Sequence, residues 1–161
     1  MAWQRRLMDR IINRAHAAGT RVSLTVTCFA WDATCQGVSI RLLSSPTARD
    51  TLAHEIADAV VARGVDGVNI DFEPIPASQK ADFVTFIRNL RTVLDAAASG
   101  LDLTFDATGH IANYDIAALT PPGAADAVYV MGYPSNGPWP SPAGAVAPPH
   151  GTPHAITHPT A

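Results

Sequence analysis

Extended and helical patterns alternate along most of this chain, and that alternation limits its fold more than any other feature. A β-branched run, RVSLTVTCF (21–29), follows an opening helical pattern and its Gly19 stop. A loop rich in small and polar residues leads to Pro46-Thr47, which starts a helix ending at Gly64 with Arg63 in its last turn. Residues 65–73 are extended and are cut off by Pro74 and Pro76. Ser78 is placed to cap a long helix in which Phe83, Phe86, Ile87, Leu90 and Leu94 recur at helical spacing. LDLTFDAT (101–108) is extended, a short helix near 114–119 follows, and DAVYVMGY (126–133) forms the last strand. Strands separated by helices pair in parallel through right-handed crossovers, so the fold class is α/β.

The stretch VDGVNIDFEPIP (65–76) then poses a problem. Val68, Ile70 and Phe72 occupy one face of the strand, and Gly67, Asn69, Asp71 and Glu73 the other. An antiparallel strand with one wet face would read the same way. A parallel sheet, however, is normally covered on both faces and apolar on both. The polar face therefore points to an interior, at the C-terminal end of a strand, where α/β folds build their sites. The first strand repeats the habit, with Val22, Leu24 and Val26 on one side and Ser23, Thr25 and Thr27 on the other. Small polar residues on a shared face suit a barrel lumen widening into a pocket. Asp71 and Glu73 lie roughly 6.6 Å apart along the strand. Two sheltered carboxyls at that range resist ionising together, so one keeps its proton near neutral pH.

Composition removes several classes of function. A net charge of −3 offers no footprint for nucleic acid, and no apolar run is long enough to span a bilayer. The N-terminus lacks the uninterrupted apolar core of a signal peptide and reads as an amphipathic helix with Leu7, Ile11, Ile12 and Ala15 on one face. Cys28 falls in a strand pattern, so a buried free thiol is the first reading; a short-range disulfide to Cys35 is the other. His54-Glu55 lies on a helix, but residue 58 is Asp, so the two-histidine zinc motif is not met. No glycine-rich phosphate loop follows any strand, and neither metal nor cofactor is expected. Beyond Tyr133 the chain holds eight of its thirteen prolines. Prolines break any common face for His150, His154 and His158, and residues 149–161 read as a disordered Pro/His-rich tail.

Four strands with their helices fill 161 residues, whereas a complete eight-stranded barrel takes about 250. The chain is therefore a small open α/β sheet or part of a larger barrel. VDGVNIDFE resembles the signature of glycoside hydrolase family 18, the chitinase-like enzymes: an aliphatic residue, Asp-Gly, then Asp or Asn, Asp and Glu at alternate positions. VYVMGY (128–133) looks like the sixth barrel strand of that family, and SPAGAVAP is similar to the Gly-Pro-Val-Ala-Pro loop that follows it in bacterial members. The resemblance covers about residues 10 to 148 and implies a partial (β/α)8 TIM barrel domain over 1–148, corresponding to strands three to six.

What the resemblance implies is a glycosidase acting on β-1,4-linked N-acetylglucosamine polymers, chitin or peptidoglycan, by substrate-assisted retaining hydrolysis. Glu73 would be the general acid. Asp71 would orient the substrate N-acetyl group and stabilise the oxazolinium ion, and Tyr133 would donate a hydrogen bond to the same group. Asp66, Asn69 and Met131 would support substrate binding, with Trp31 placed after the first strand for a sugar subsite. A protein following the family in full would be secreted or cell-wall associated. Asn69 stands where many members carry Asp, and Pro134 where an Asp follows the strand-six Tyr. These departures motivate an alternative, a chitinase-like protein that binds amino-sugar polymers without cutting them. A second alternative is a small doubly wound domain using Asp71 and Glu73 for Mg²⁺. Half a barrel leaves two unpaired sheet edges, which implies self-association.

Overall fold

The structure is a computed structural model, and it describes residues 2–29, 35, 37–108 and 111–133. The helices are α1 (Ala2–Ala17), α2 (Val38–Ser44), α3 (Pro46–Arg63), α4 (Lys80–Ala97) and α5 (Ile116–Leu119). The strands are β1 (Ser23–Phe29), β2 (Gly67–Glu73), β3 (Asp102–Thr108) and β4 (Ala127–Met131). All pairings are parallel, in the order β1-β2-β3-β4.

Sequential order with right-handed crossovers puts every connecting helix on the same side of the sheet. That arrangement is one arc of a (β/α) barrel. A doubly wound sheet reverses its strand order at a switch point. No reversal occurs in this sheet, so the doubly wound reading is overturned.

Local chemistry explains the element ends. The Ser45 side chain accepts a hydrogen bond from the Ala48 N–H, and Pro46 sits in the first turn of α3. Gly64, at φ 63°, closes that helix in a left-handed conformation. The core lies between this helix layer and one face of the sheet. Val68, Ile70, Phe72, Leu103, Phe105 and Ala107 point from the strands into it, and Phe83, Phe86, Ile87, Leu90 and Leu94 meet them from α4. Phe72 stacks on Phe86 with ring centres 5.9 Å apart, and Phe83 meets Phe105 edge-on at 5.9 Å.

Four expectations need correction. Residues 38–44 form α2 rather than loop, because burial of Ser39 and Leu43 supplies what seven residues lack in intrinsic helix stability. Ser78 does not cap α4: residues 77–79 make a 3₁₀ turn, and Gln79, next to the helix, turns its amide onto Ser44 Oγ at 3.2 Å. Of the four residues expected to bury one face of α1, Ile12 is buried while Leu7 and Ile11 are about half exposed. β1 is an edge strand, so among the described residues nothing lies beyond it for α1 to cover. Finally, Cys28 and Cys35 form a disulfide rather than leaving Cys28 a free thiol, with their Cα atoms 5.5 Å apart. No described helix is long and apolar enough to cross a membrane.

Candidate active site

The face of the sheet turned away from the helices is polar. Register sets Thr25 beside Asn69, Thr27 beside Asp71 and Phe29 beside Glu73 on β1–β2, and Asn69 beside Thr104 on β2–β3. Parallel partners share a face, so Ser23, Thr25, Thr27, Asn69, Asp71, Glu73, Thr104, Asp106 and Thr108 line one concave surface. β4 adds Ala127, Tyr129 and Met131 in register with Thr104, Asp106 and Thr108.

The glycine of the motif has a steric cause. A Cβ on Gly67 would stand 2.3 Å from the Asp102 carbonyl oxygen and 2.8 Å from its nitrogen. Only glycine lets β2 and β3 approach this closely, and the approach carries Asn69 to within bonding range of β3. Thr104 Oγ1 donates to Asn69 Oδ1 at 2.8 Å, and Asn69 Nδ2 donates to Asp106 Oδ2 at 2.7 Å. The two bonds fix which way the Asn69 amide faces.

Asp71 and Glu73 follow on the same face. Asp71 Oδ1 is buried and has no hydrogen-bond partner among the described residues. Burial, and then the adjoining Asp71 carboxyl, push the Glu73 carboxyl up from 4.5 to about 7, with the charge of Asp106 adding to the rise. Asp106 is also raised, by burial first and by the charge of Asp71, against the opposing effect of its bond from Asn69. Tyr114 follows β3, near enough to Glu73 to feel its charge. Its ring is buried against Phe83 and Phe105, and burial raises its hydroxyl. The arrangement can hold a proton on Glu73 near neutral pH, which is what acid-assisted cleavage of an acetal requires.

The structure thus gathers Asn69, Asp71 and Glu73 on one surface. Asp66 lies elsewhere, at the start of β2, about 20 Å along the strand from Glu73. There it accepts a 2.7 Å bond from the Val22 N–H and bonds His16 at 2.8 Å, contacts that hold its carboxyl below the usual range. It joins α1, β1 and β2 at the end of the strand remote from Glu73. Met131 ends β4 half-buried, and Tyr133, two residues on, is 62% exposed and makes no hydrogen bond among the described residues. Trp31 lies outside the described residues, as do Pro134, Trp139 and the tail histidines. Sequence reading missed Thr104, Asp106 and Tyr114. The alternation in LDLTFDAT, polar at 102, 104, 106 and 108, carries the same signal that marked β1 and β2.

The model of the family described as Glycosyl hydrolases family 18 matches residues 38–159, well over half of the chain. The chain belongs to glycosyl hydrolases family 18. Among the relatives of this family-18 chain is the Bacillus subtilis (strain 168) protein named "Putative sporulation-specific glycosylase YdhD", 40% identical over 67 residues, which are 42% of this chain and 16% of that one. The crystal structure of that glycosylase is matched at TM-score 0.73 and 27% identity, over 87% of this chain and 47% of the solved one. Catalytic domain 2 of the Ostrinia furnacalis Group II chitinase is matched at TM-score 0.76 and 23% identity, over 88% and 39%. A family-18 chitinase variant from Cycas revoluta, in complex with (GlcNAc)4, gives TM-score 0.71 and 18% identity, over 84% and 43%. The last two likenesses establish the fold. This family-18 chain spans less than half the length of each of these relatives.

Proposed function

We propose that this chain carries the acid side of a glycosidase site that cleaves β-1,4-linked N-acetylglucosamine polymers, chitin or peptidoglycan, within a complete barrel. Glu73 transfers its proton to the glycosidic oxygen as the bond to the anomeric carbon breaks. The carbonyl oxygen of the substrate's own acetamido group forms the new bond to that carbon, giving an oxazolinium ion that the Asp71 carboxylate stabilises. Water then opens the ion from the opposite face and returns a proton to Glu73, so configuration is retained. Tyr133 donates a hydrogen bond to the acetamido group.

The observation that carries this reading is the placement of Asp71 and Glu73 together on the polar face of β2 at its C-terminal end, where burial and the Asp71 carboxyl push Glu73 up to about 7. Ordinary retaining enzymes set a second carboxylate across the scissile bond as nucleophile. Asp71 and Glu73 project from one strand and cannot flank a bond, and a substrate that supplies its own nucleophile removes that need. The test is release of fluorophore from an N,N′-diacetylchitobioside by a complete barrel containing this segment. Glu73→Gln is expected to lower turnover at least 100-fold, on the scale of general acid catalysis; unchanged turnover removes Glu73 from the role.

A binding protein without turnover is the second reading. Tyr129 and Tyr133 are 60% and 62% exposed at the end of β4, where aromatic rings suit pyranose faces. Retention on chitin beads together with no fluorophore release would favour it.

A further inference from the structure

Asn69 occupies a position where the motif also admits Asp, and an amide cannot supply the negative charge that a carboxyl would place beside Asp71. The adjoining strand holds that charge instead. Asp106 sits two residues beyond Thr104, the register partner of Asn69, and so is its diagonal neighbour on the concave face. Its Oδ2 accepts the Asn69 amide at 2.7 Å, while Thr104 locks the other end of that amide at 2.8 Å.

We propose that Asp106 is a positioning residue of the site: it supplies from β3 the carboxyl that β2 lacks at position 69, holding the Asn69 amide in one orientation and setting a third acidic group against Asp71 and Glu73. The inference rests on the glycosidase reading for its catalytic consequence, but not for its electrostatic one. Three features of the site support it. Asp71 Oδ1 is buried and has no hydrogen-bond partner among the described residues, so the Asn69–Asp106 pair borders a sheltered carboxyl. The charge of Asp71 bears on Asp106, and that of Asp106 contributes to the rise at Glu73. The chemistry is also reciprocal: an Asn–Asp pair bonded across two strands offers one carboxyl and one amide, and exchanging the two residues preserves both.

The groups facing this cluster are Asp71 and Glu73 on β2, Thr25 and Thr27 on β1, Tyr129 in register with Asp106 on β4, and Tyr114 after β3. Within this cluster burial raises both carboxyls, Glu73 to about 7 and Asp106 above its ordinary value.

The chain contains two glutamates, Glu55 and Glu73, so carbon-13 labelling of glutamate side-chain carboxyls yields two resonances to follow with pH. In Asp106→Asn the Glu73 midpoint is expected to fall below its wild-type value of about 7 by a small but measurable step, because burial and Asp71 remain, and in the exchanged pair Asn69→Asp with Asp106→Asn it is expected to return toward the wild-type value. In a complete barrel, Asp106→Asn is expected to move the alkaline limb of the kcat/KM profile to lower pH in step with that midpoint, and the exchanged pair to restore it. A Glu73 midpoint unmoved in Asp106→Asn overturns the proposal. If that variant does not fold, the exchanged pair decides: a midpoint clearly below the wild-type value overturns it, and one at the wild-type value supports it. Absence of turnover in the wild-type barrel would sink the glycosidase reading alone, because the resonance titration needs no substrate.

Discussion

Replacing Gly67 with alanine drives a methyl carbon into the backbone of the neighbouring strand. The new Cβ would lie 2.3 Å from the Asp102 carbonyl oxygen and 2.8 Å from both its nitrogen and its Cβ. Carbon needs more than 3 Å from such atoms, so β2 and β3 must part by about 1 Å at this point. Little there can give. The Asp102 N–H donates to the Asp66 carbonyl at 2.9 Å. Arg21 bridges the same junction, bonding the Asp66 and Gly100 carbonyls at 3.0 and 2.7 Å and pairing with the Asp102 carboxylate at 2.9 Å. Overpacking costs about 1–3 kcal/mol, and one strained backbone hydrogen bond about 1 kcal/mol more, which gives on the order of 2–4 kcal/mol. For a chain of this size that is a fall in Tm of about 5–15 °C. Gly19→Ala is the control, because its Cβ meets nothing within 4 Å and its φ of 70° costs only about 1 kcal/mol. Thermal melts followed by circular dichroism compare the two. A Gly67→Ala protein melting no lower than Gly19→Ala would show that the strands separate freely, and the steric account of the motif's glycine would be wrong.

Glu73 should make stability depend on pH in a defined direction. Its folded-state pKa is raised from 4.5 to about 7, so the native state binds the proton more tightly and the penalty for ionisation appears as pH rises through that window. Glu73→Gln is therefore expected to match wild type near pH 4 and to exceed it near pH 8 by on the order of 1 kcal/mol, after discounting for partial solvation. Paired urea melts at the two pH values check this, and a pH-independent difference contradicts it. Arg91 is almost fully buried and reaches the Leu101 carbonyl at 2.9 Å, Asp95 at 2.6 Å and Asp126 at 3.4 Å. Arg91→Ala is expected to cost about 2 kcal/mol, through lost packing and bonds rather than stranded charge, because both aspartates remain solvated; urea midpoints measure it. Among the described residues β1 and β4 are the outer strands of the sheet, and Tyr129 and Val130 on β4 are more than half exposed. Sedimentation of the isolated chain should show association that Val130→Lys reduces, and a monomer at all concentrations would contradict this.

The strand–helix alternation, the parallel pairing and the shared face of Asn69, Asp71 and Glu73 were legible in the sequence. They follow from periodicity, and the side-chain period of a strand is set by the backbone alone. The motif resemblance carried the family for the same reason, since it resides in nine consecutive residues. Tertiary structure decided what depends on which strand lies next to which. Gly67 is required because β3 passes within contact of it. Asp66, inside the same motif, faces His16 and the Val22 N–H at the far end of the strand rather than the site. α2 is helical because Leu43 has a core to enter. Asp106 joins the carboxylates from 33 residues after Glu73 in the numbering, through a register that no local pattern encodes. Local order in a chain is written by neighbours in sequence, whereas the charge a carboxyl feels is written by neighbours in space.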